Sequence, residues 1–386
     1  MAGTETVDMD VDVVVIGGGQ AGLAAGYFLR RAGLRFVVLD AQDDPGGAWR
    51  RGWDSLRLFS PAEHNPLPGW WMPRQEGELF PTAGHVAAYL RDYELRYDLP
   101  VRRPVRVHGV RDAGAALAVD TDHGTWHASF VVSATGTWDS PVLPHYPGAA
   151  EFAGEQCHTV DYRSPERFRG RHVVVVGGGN SAAQILAEVS TVTTTTWVTR
   201  RPARFMPDGV DGRVLFDVAT RREAARRAGT DAESVSALGD IVMVPPVREA
   251  RDRGVFRALP MFDRLTRDGV AWDDVAWDGV VRSGAATGDG AEQPCDVIVW
   301  CTGFRPTLDH LAPLNLAPDL SPDLSPTERV PTERVPKTVG TRSVDEPRLY
   351  LLGYGDWTGA ASATLIGASR TAKPTVSDIA ERLRAS

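Results

Sequence analysis

VDVVVIGGGQAGLAAGYFLRRAGLRFVVLD, residues 11–40, passes from an apolar run at 11–16 through a glycine turn into a helical pattern, then into a second apolar run at 36–39. That succession predicts a βαβ unit. Each glycine of the GxGxxG spacing has its own task. Gly17 permits the tight turn, Gly19 lets the backbone approach a pyrophosphate, and Gly22 lets the helix pack closely on the strand. The N-terminus of the helix, with its unpaired N–H groups, favours the phosphate charge. Asp40 closes the second strand at the expected distance of about 20 residues from the glycines, where its carboxylate would accept hydrogen bonds from ribose hydroxyls.

The pattern repeats in RHVVVVGGGNSAAQILAEVSTVTTTTWVTRR, residues 171–201, with an apolar strand at 173–176, Gly177 and Gly179 in the turn, Ala182 at the third position and a strand at 195–199. This unit closes on Arg200 and Arg201 instead of an acid. Guanidinium groups at the ribose edge suit a 2′-phosphate, which points to NADPH. Two dinucleotide sites of opposite ribose chemistry suggest one nucleotide held permanently and one exchanged, and flavin with nicotinamide is the natural pair.

Between the cradles, PTAGHVAAYLRDYELRYDLP, 81–100, predicts an amphipathic helix with Thr82 as N-cap and Val86, Tyr89, Leu90 and Tyr93 on its apolar stripe. Strand-like runs at 101–107, 115–119 and 125–133 predict a small antiparallel insertion. SATGTWDSP, 133–141, and VIVWCTGFRP, 297–306, both carry an apolar strand into a TG turn and mark the domain crossings. The expected organisation is α/β, with two Rossmann-like dinucleotide-binding domains. Residues 1–150 and 301–386 form the FAD domain, and residues 151–300 form an inserted NADPH domain with a helical insertion at about 205–270. The short repeats at 318–336, PDLSPDLSP and PTERVPTERVP, read as a surface loop without function. Near the C-terminus a strand, a GD turn and a helix rich in small residues place Asp356 where it would bond the flavin ribityl chain.

The formal net charge of −8 over 386 residues offers no field for phosphate backbones or anionic lipid, so neither a nucleic acid nor a membrane partner is expected. Cys157, Cys295 and Cys301 form no CxxC and no metal-ligand spacing, so no metal is expected and a reducing compartment fits. The acidic start MAGTETVDMDVD does not look like a signal peptide, and no apolar run reaches the roughly 18 residues of a membrane span. The cytoplasm is the expected location, and a homodimer is left open.

FAGEQCHTVDY, 152–162, lies between the cradles and sets Phe152, Gly154, His158 and Tyr162 in the spacing FxGxxxHxxxY. With a glycine motif on either side, nearly the whole chain resembles the class B flavin-containing monooxygenases. GGAWRRGWDSLRLFSP, 46–61, and GYGDWTGAASATLIG, 353–367, further resemble the small monooxygenase-like proteins encoded beside arsenic-resistance genes. The resemblance implies cofactor contacts at Trp49 in the GGxW segment and at Asn180 and Ser181 heading the second helix. It makes His158 a linker histidine that helps set the approach of NADPH to flavin, with neither metal nor nucleophile involved. Baeyer–Villiger relatives carry Trp where this chain has Tyr162, so heteroatom oxidation is favoured over ring expansion. Many members place an Asn near the flavin a little after the GGxW tryptophan; here Ser60 and Pro61 stand at the comparable place and Asn65 lies further on.

The expected reaction, implied by the resemblance, is NADPH-dependent transfer of one oxygen atom from O2, through a flavin C4a-hydroperoxide, to a small soft nucleophile carrying nitrogen, sulfur or trivalent arsenic. The alternative is an FAD-dependent NAD(P)H reductase or oxidase without oxygen insertion.

Overall fold

The computed structural model describes residues 9–228, 239–273, 291–318 and 335–385. Most of the repeat segment, 319–334, lies outside them. The chain forms two compact units: Met1–Arg51, Ser60–Ser140 and Arg305–Ser386 make the first, Gly52–Phe59 and Pro141–Phe304 the second.

The first unit begins with β1 (Met9–Ile16), α1 (Gln20–Arg31) and β2 (Phe36–Leu39). After a long loop come α2 (Ala83–Arg96), β3 (Val101–Arg102), β4 (Val107–Ala113), β5 (Ala116–Thr121) and β6 (Gly124–Ser133). β1 lies between parallel neighbours, with Val13 opposite Phe36 of β2 and Phe130 of β6. Val13, Val14 and Val15 are fully buried. A central parallel strand is covered on both faces, which is why its sequence is continuously apolar rather than alternating. In α2 the Thr82 hydroxyl accepts from the His85 N–H, and Val86, Tyr89, Leu90 and Tyr93 are buried, as the sequence predicts. The run at 101–107 is not one strand. Val101 pairs in parallel with Val38, whereas Val107 opens an antiparallel ladder with β5; Pro104 between them has no N–H with which to continue a ladder.

The second unit holds β7 (Glu155–His158), β8 (Val173–Val176), α3 (Asn180–Val189), β9 (Thr195–Thr199), α4 (Gly212–Ala228) and α5 (Pro245–Asp252). β10 (Ala258–Pro260), β11 (Arg264–Leu265), β12 (Gly269–Trp272), β13 (Ala291–Pro294) and β14 (Val297–Trp300) follow. Its parallel sheet runs β10-β9-β8-β14-β7. The expectation of a helical insertion over 205–270 is corrected here. α4 and α5 are helices, but Ala258–Pro260 adds a parallel edge strand beside Trp197–Thr199, and β11 to β13 form an antiparallel ribbon. Strands of two to four residues are too short to show a period, and only their neighbours define them.

The chain returns to the first unit with β15 (Thr338–Val339), β16 (Arg342–Ser343), β17 (Leu349–Leu351) and α6 (Leu365–Ala385). β17 joins the large sheet in parallel beside β6, Leu349 opposite Val131, and α6 packs on α1. Among the described residues no helix is long and apolar enough to cross a membrane.

Candidate functional site: two nucleotide cradles

The first cradle's glycines have different physical reasons. Gly17 adopts φ +107°, and a Cβ there would stand 2.5 Å from the Ala134 carbonyl oxygen; a Cβ on Gly22 would stand 1.9 Å from the Gly17 carbonyl oxygen. Both are demands of the fold itself. A Cβ on Gly19 meets nothing within 4 Å, so internal packing does not call for glycine at that position. The open space lies at the head of α1, which has no side-chain cap and no acidic residue in its first turn. Uncapped N–H groups facing free space are what a pyrophosphate requires.

Asp40, 5% exposed, directly follows the last residue of β2, and its carboxylate is already engaged. Oδ2 accepts from Arg103 Nε at 2.7 Å and Oδ1 from the Gln42 N–H at 3.3 Å. Arg103 also donates from Nη1 to Glu94 Oε1 at 2.8 Å. The middle glycine of the turn serves this cluster: a Cβ on Gly18 would lie 2.5 Å from Asp40 Oδ2 and 2.7 Å from Arg103 Nη2. Sequence reasoning missed Arg103 and Glu94. Neither belongs to a motif, and Arg103 lies 63 residues from Asp40.

The second cradle repeats the logic. Gly177, at φ +142°, would bring a Cβ to 2.4 Å from the Cys301 carbonyl oxygen, while Gly179 opens on free space at an α3 head that has no side-chain cap and no acid in its first turn. Ala182 is buried where the first cradle has Gly22. Asn180 Oδ1 accepts from the Val242 N–H at 2.8 Å, so half of that amide holds the chain beyond α4. Ser181 is half-buried. Thr199 ends β9 and bonds the Arg201 carbonyl at 2.8 Å, which turns the chain so that Arg200 and Arg201 are both exposed. Among the described residues neither guanidinium is paired with a carboxylate.

His158 ends β7 in the second unit and is 1% exposed. Its Nδ1 accepts from the Val160 N–H at 3.3 Å, so the ring proton sits on Nε2, which donates to the Gly303 carbonyl at 3.1 Å. The imidazole is therefore neutral, and burial pushes its pKa down. Asp161 completes the turn by accepting from the His158 N–H at 2.8 Å. Phe304 meets the ring edge-on at 5.1 Å. What this histidine does locally is hold the TG turn after β14 against the signature strand.

Trp49 lies in the short 3-10 turn Gly47–Arg51. Its Nε1 donates to Gln20 Oε1 at 2.8 Å, and Gln20 Nε2 donates to the Ala363 carbonyl at 2.5 Å. A Cβ on Gly47 would stand 3.1 Å from Gly19 Cα. The GGAW segment, the head of α1 and the loop before α6 therefore converge on the first cradle. Gln20 was also missed, although its place directly after Gly19 was a readable signal. Asp356 is exposed, and its Oδ1 accepts from the Ala361 N–H at 2.9 Å, shaping that same loop. Asn65 is buried, with Nδ2 directed at the Ser60 carbonyl, Ser60 Oγ and the Pro61 carbonyl at 3.2, 2.9 and 2.8 Å. The NH2 half of its amide is committed to its own turn.

The profile of the pyridine nucleotide-disulphide oxidoreductase family matches residues 14–225. A solved structure of a flavin monooxygenase mutant from Stenotrophomonas maltophilia is similar at 46% identity and a TM-score of 0.82, over 97% of this chain and 99% of that one. Among curated proteins, the uncharacterized oxidoreductase CzcO-like of Geobacillus kaustophilus is 34% identical over 206 residues, 53% of this chain and 59% of its own length. The probable indole-3-pyruvate monooxygenase YUCCA8 of Arabidopsis thaliana is 30% identical over 227 residues, 54% of this chain and 51% of its own. The chain thus spans only 51% to 59% of these two curated relatives. A likeness that runs almost end to end at 46% identity supports one assignment: the chain belongs to the flavin monooxygenases of the pyridine nucleotide-disulphide oxidoreductase family.

Proposed function

We propose that the protein is an FAD- and NADPH-dependent monooxygenase acting on a small soft nucleophile that carries nitrogen, sulfur or trivalent arsenic. One atom of O2 goes to the substrate and the other leaves as water, while NADPH and a proton supply the two electrons and two protons. Bound flavin supplies the redox chemistry that no side chain offers.

The observation that carries this reading is the pair of uncapped helix heads in one chain, each facing open space above the glycine that precedes it, Gly19 and Gly179. The α1 head would hold the FAD pyrophosphate and Asp40 its ribose. Trp49 and the loop shaped by Asp356 would border the flavin. The α3 head, with Asn180 and Ser181, would hold the NADPH pyrophosphate, and exposed Arg200 and Arg201 would take its 2′-phosphate. His158, neutral and tied to Gly303, would keep the TG turn in register for nicotinamide approach.

Disulphide reduction is the weaker reading, because it needs a thiolate. Burial pushes the Cys157, Cys295 and Cys301 thiols up to about 12, and all three are free. The test is turnover under 18O2 with NADPH and a panel of sulfides, amines and trivalent arsenicals, the last because of the resemblance at residues 46–61. One labelled atom in the product is expected. Unlabelled substrate with hydrogen peroxide accumulating would leave the reductase or oxidase alternative.

A further inference from the structure

We propose that Gln20 is the positioning residue for the flavin half of the first cradle, one side-chain amide that holds Trp49 and the loop before α6 where FAD needs them. The inference rests on the FAD reading above. The strand order β17-β6-β1-β2 puts Asp40, directly after β2, on one side of the α1 head and the loop after β17 on the other. A dinucleotide with its ribose at Asp40 and its pyrophosphate over the glycine turn therefore runs its second half toward that loop. Gln20 is the first residue of α1 and stands at the junction.

The chemistry of its partners fixes the orientation of the amide. The Trp49 indole N–H only donates and the Ala363 carbonyl only accepts, so Oε1 faces the first at 2.8 Å and Nε2 the second at 2.5 Å. One side chain thus ties together segments 29 and 343 residues away from it. The loop it holds is tightly built. A Cβ on Gly353 would stand 2.8 Å from Ala21 Cβ in the first turn of α1, and one on Gly367 would stand 1.8 Å from the Ala361 carbonyl oxygen. Ala361 itself adopts φ +56°, a left-handed conformation that a residue with a Cβ keeps only where its surroundings enforce it. Segments ordered in advance do not have to be ordered when the ligand arrives. Releasing them from Gln20 moves that ordering cost onto FAD binding.

The test uses the full-length protein freed of flavin, titrated with FAD and separately with NADPH. Gln20→Met keeps the length of the side chain and deletes both bonds; it should raise the Kd for FAD roughly tenfold and leave that for NADPH unchanged. Trp49→Phe is the milder variant and deletes one of the same two bonds. The two substitutions together should therefore fall short of the product of their separate effects on FAD affinity. A Gln20→Met protein whose urea midpoint drops while its FAD affinity stays at the wild-type value would overturn the proposal and leave the amide as internal packing. Effects of Gln20→Met and Trp49→Phe that simply multiply would overturn it as well. Wild type that takes up no FAD would instead overturn the FAD reading, and the proposal with it.

Discussion

Tyr162 donates its phenolic hydrogen to Glu188 Oε2 at 2.6 Å, from a ring that is fully buried and stacked parallel to Phe168 at 6.0 Å. The last residue of the FxGxxxHxxxY signature thus faces inward and is tied to α3, the helix that heads the second cradle. Ser55 bonds the other oxygen of Glu188, so one carboxylate holds both the signature and the 52–59 segment to the same helix. Tyr162→Phe keeps the ring and deletes one charge-assisted bond. A loss of about 1.5 kcal/mol is expected, read as a lower urea midpoint at unchanged m-value; an unchanged midpoint would mean that Ser55 alone satisfies Glu188.

The glycines of one cradle should respond to substitution in different ways. Gly22→Ala drives a methyl group into the Gly17 carbonyl, and poor soluble yield is expected. Gly19→Val puts its Cβ in open space; it should fold, with a native circular dichroism spectrum, and purify without yellow colour. Gly179→Val should stay yellow and lose NADPH binding. A Gly19→Val protein with a full complement of flavin would remove the first cradle as the FAD site.

Arg200→Ala and Arg201→Ala test the choice of nicotinamide cofactor. Loss of a charged contact to the 2′-phosphate costs on the order of 1.5 to 3 kcal/mol, so KM for NADPH should rise roughly tenfold or more. KM for NADH should hardly move. Equal changes for the two cofactors would place the 2′-phosphate elsewhere.

His310 sets an acid limit on the first unit. It is 6% exposed, with Nε2 3.0 Å from Ser133 Oγ, and burial lowers its pKa from 6.5 to about 4. The unfolded chain therefore binds the extra proton first. The stability this group contributes is full above pH 6.5 and is lost as pH falls toward 4, by on the order of 3 kcal/mol. Denaturation at pH 7.5 and 4.5 measures the drop, and His310→Gln should flatten that part of the profile.

Both βαβ cores were legible because their information is local. β2 and β8 match the apolar runs, and β9 the strand, read from the sequence; strands buried on both faces declare themselves residue by residue. Thr82 as a cap and the stripe from Val86 to Tyr93 were readable for the same reason. Ala258–Pro260 and Gly269–Trp272 were not, because neither carries a run of β-branched residues like FVVL or VVVV, and each is defined by the edge that accepts its hydrogen bonds.

By itself the sequence determined where phosphate-binding turns occur and which kind of charge ends each of the two nucleotide units, because glycine conformation, helix heads and apolar runs depend on consecutive residues. Only the tertiary structure decided that Gly19 and Gly179 face open space whereas Gly17, Gly22 and Gly177 answer to backbone oxygens. It also decided that Asp40 is bridged by Arg103, and that His158 is buried, which pushes its pKa down, and donates to a carbonyl 145 residues away. A buried charge or ring nitrogen takes its partner from whatever strand the sheet brings beside it, and that neighbour is set by closure of the sheet rather than by chain order.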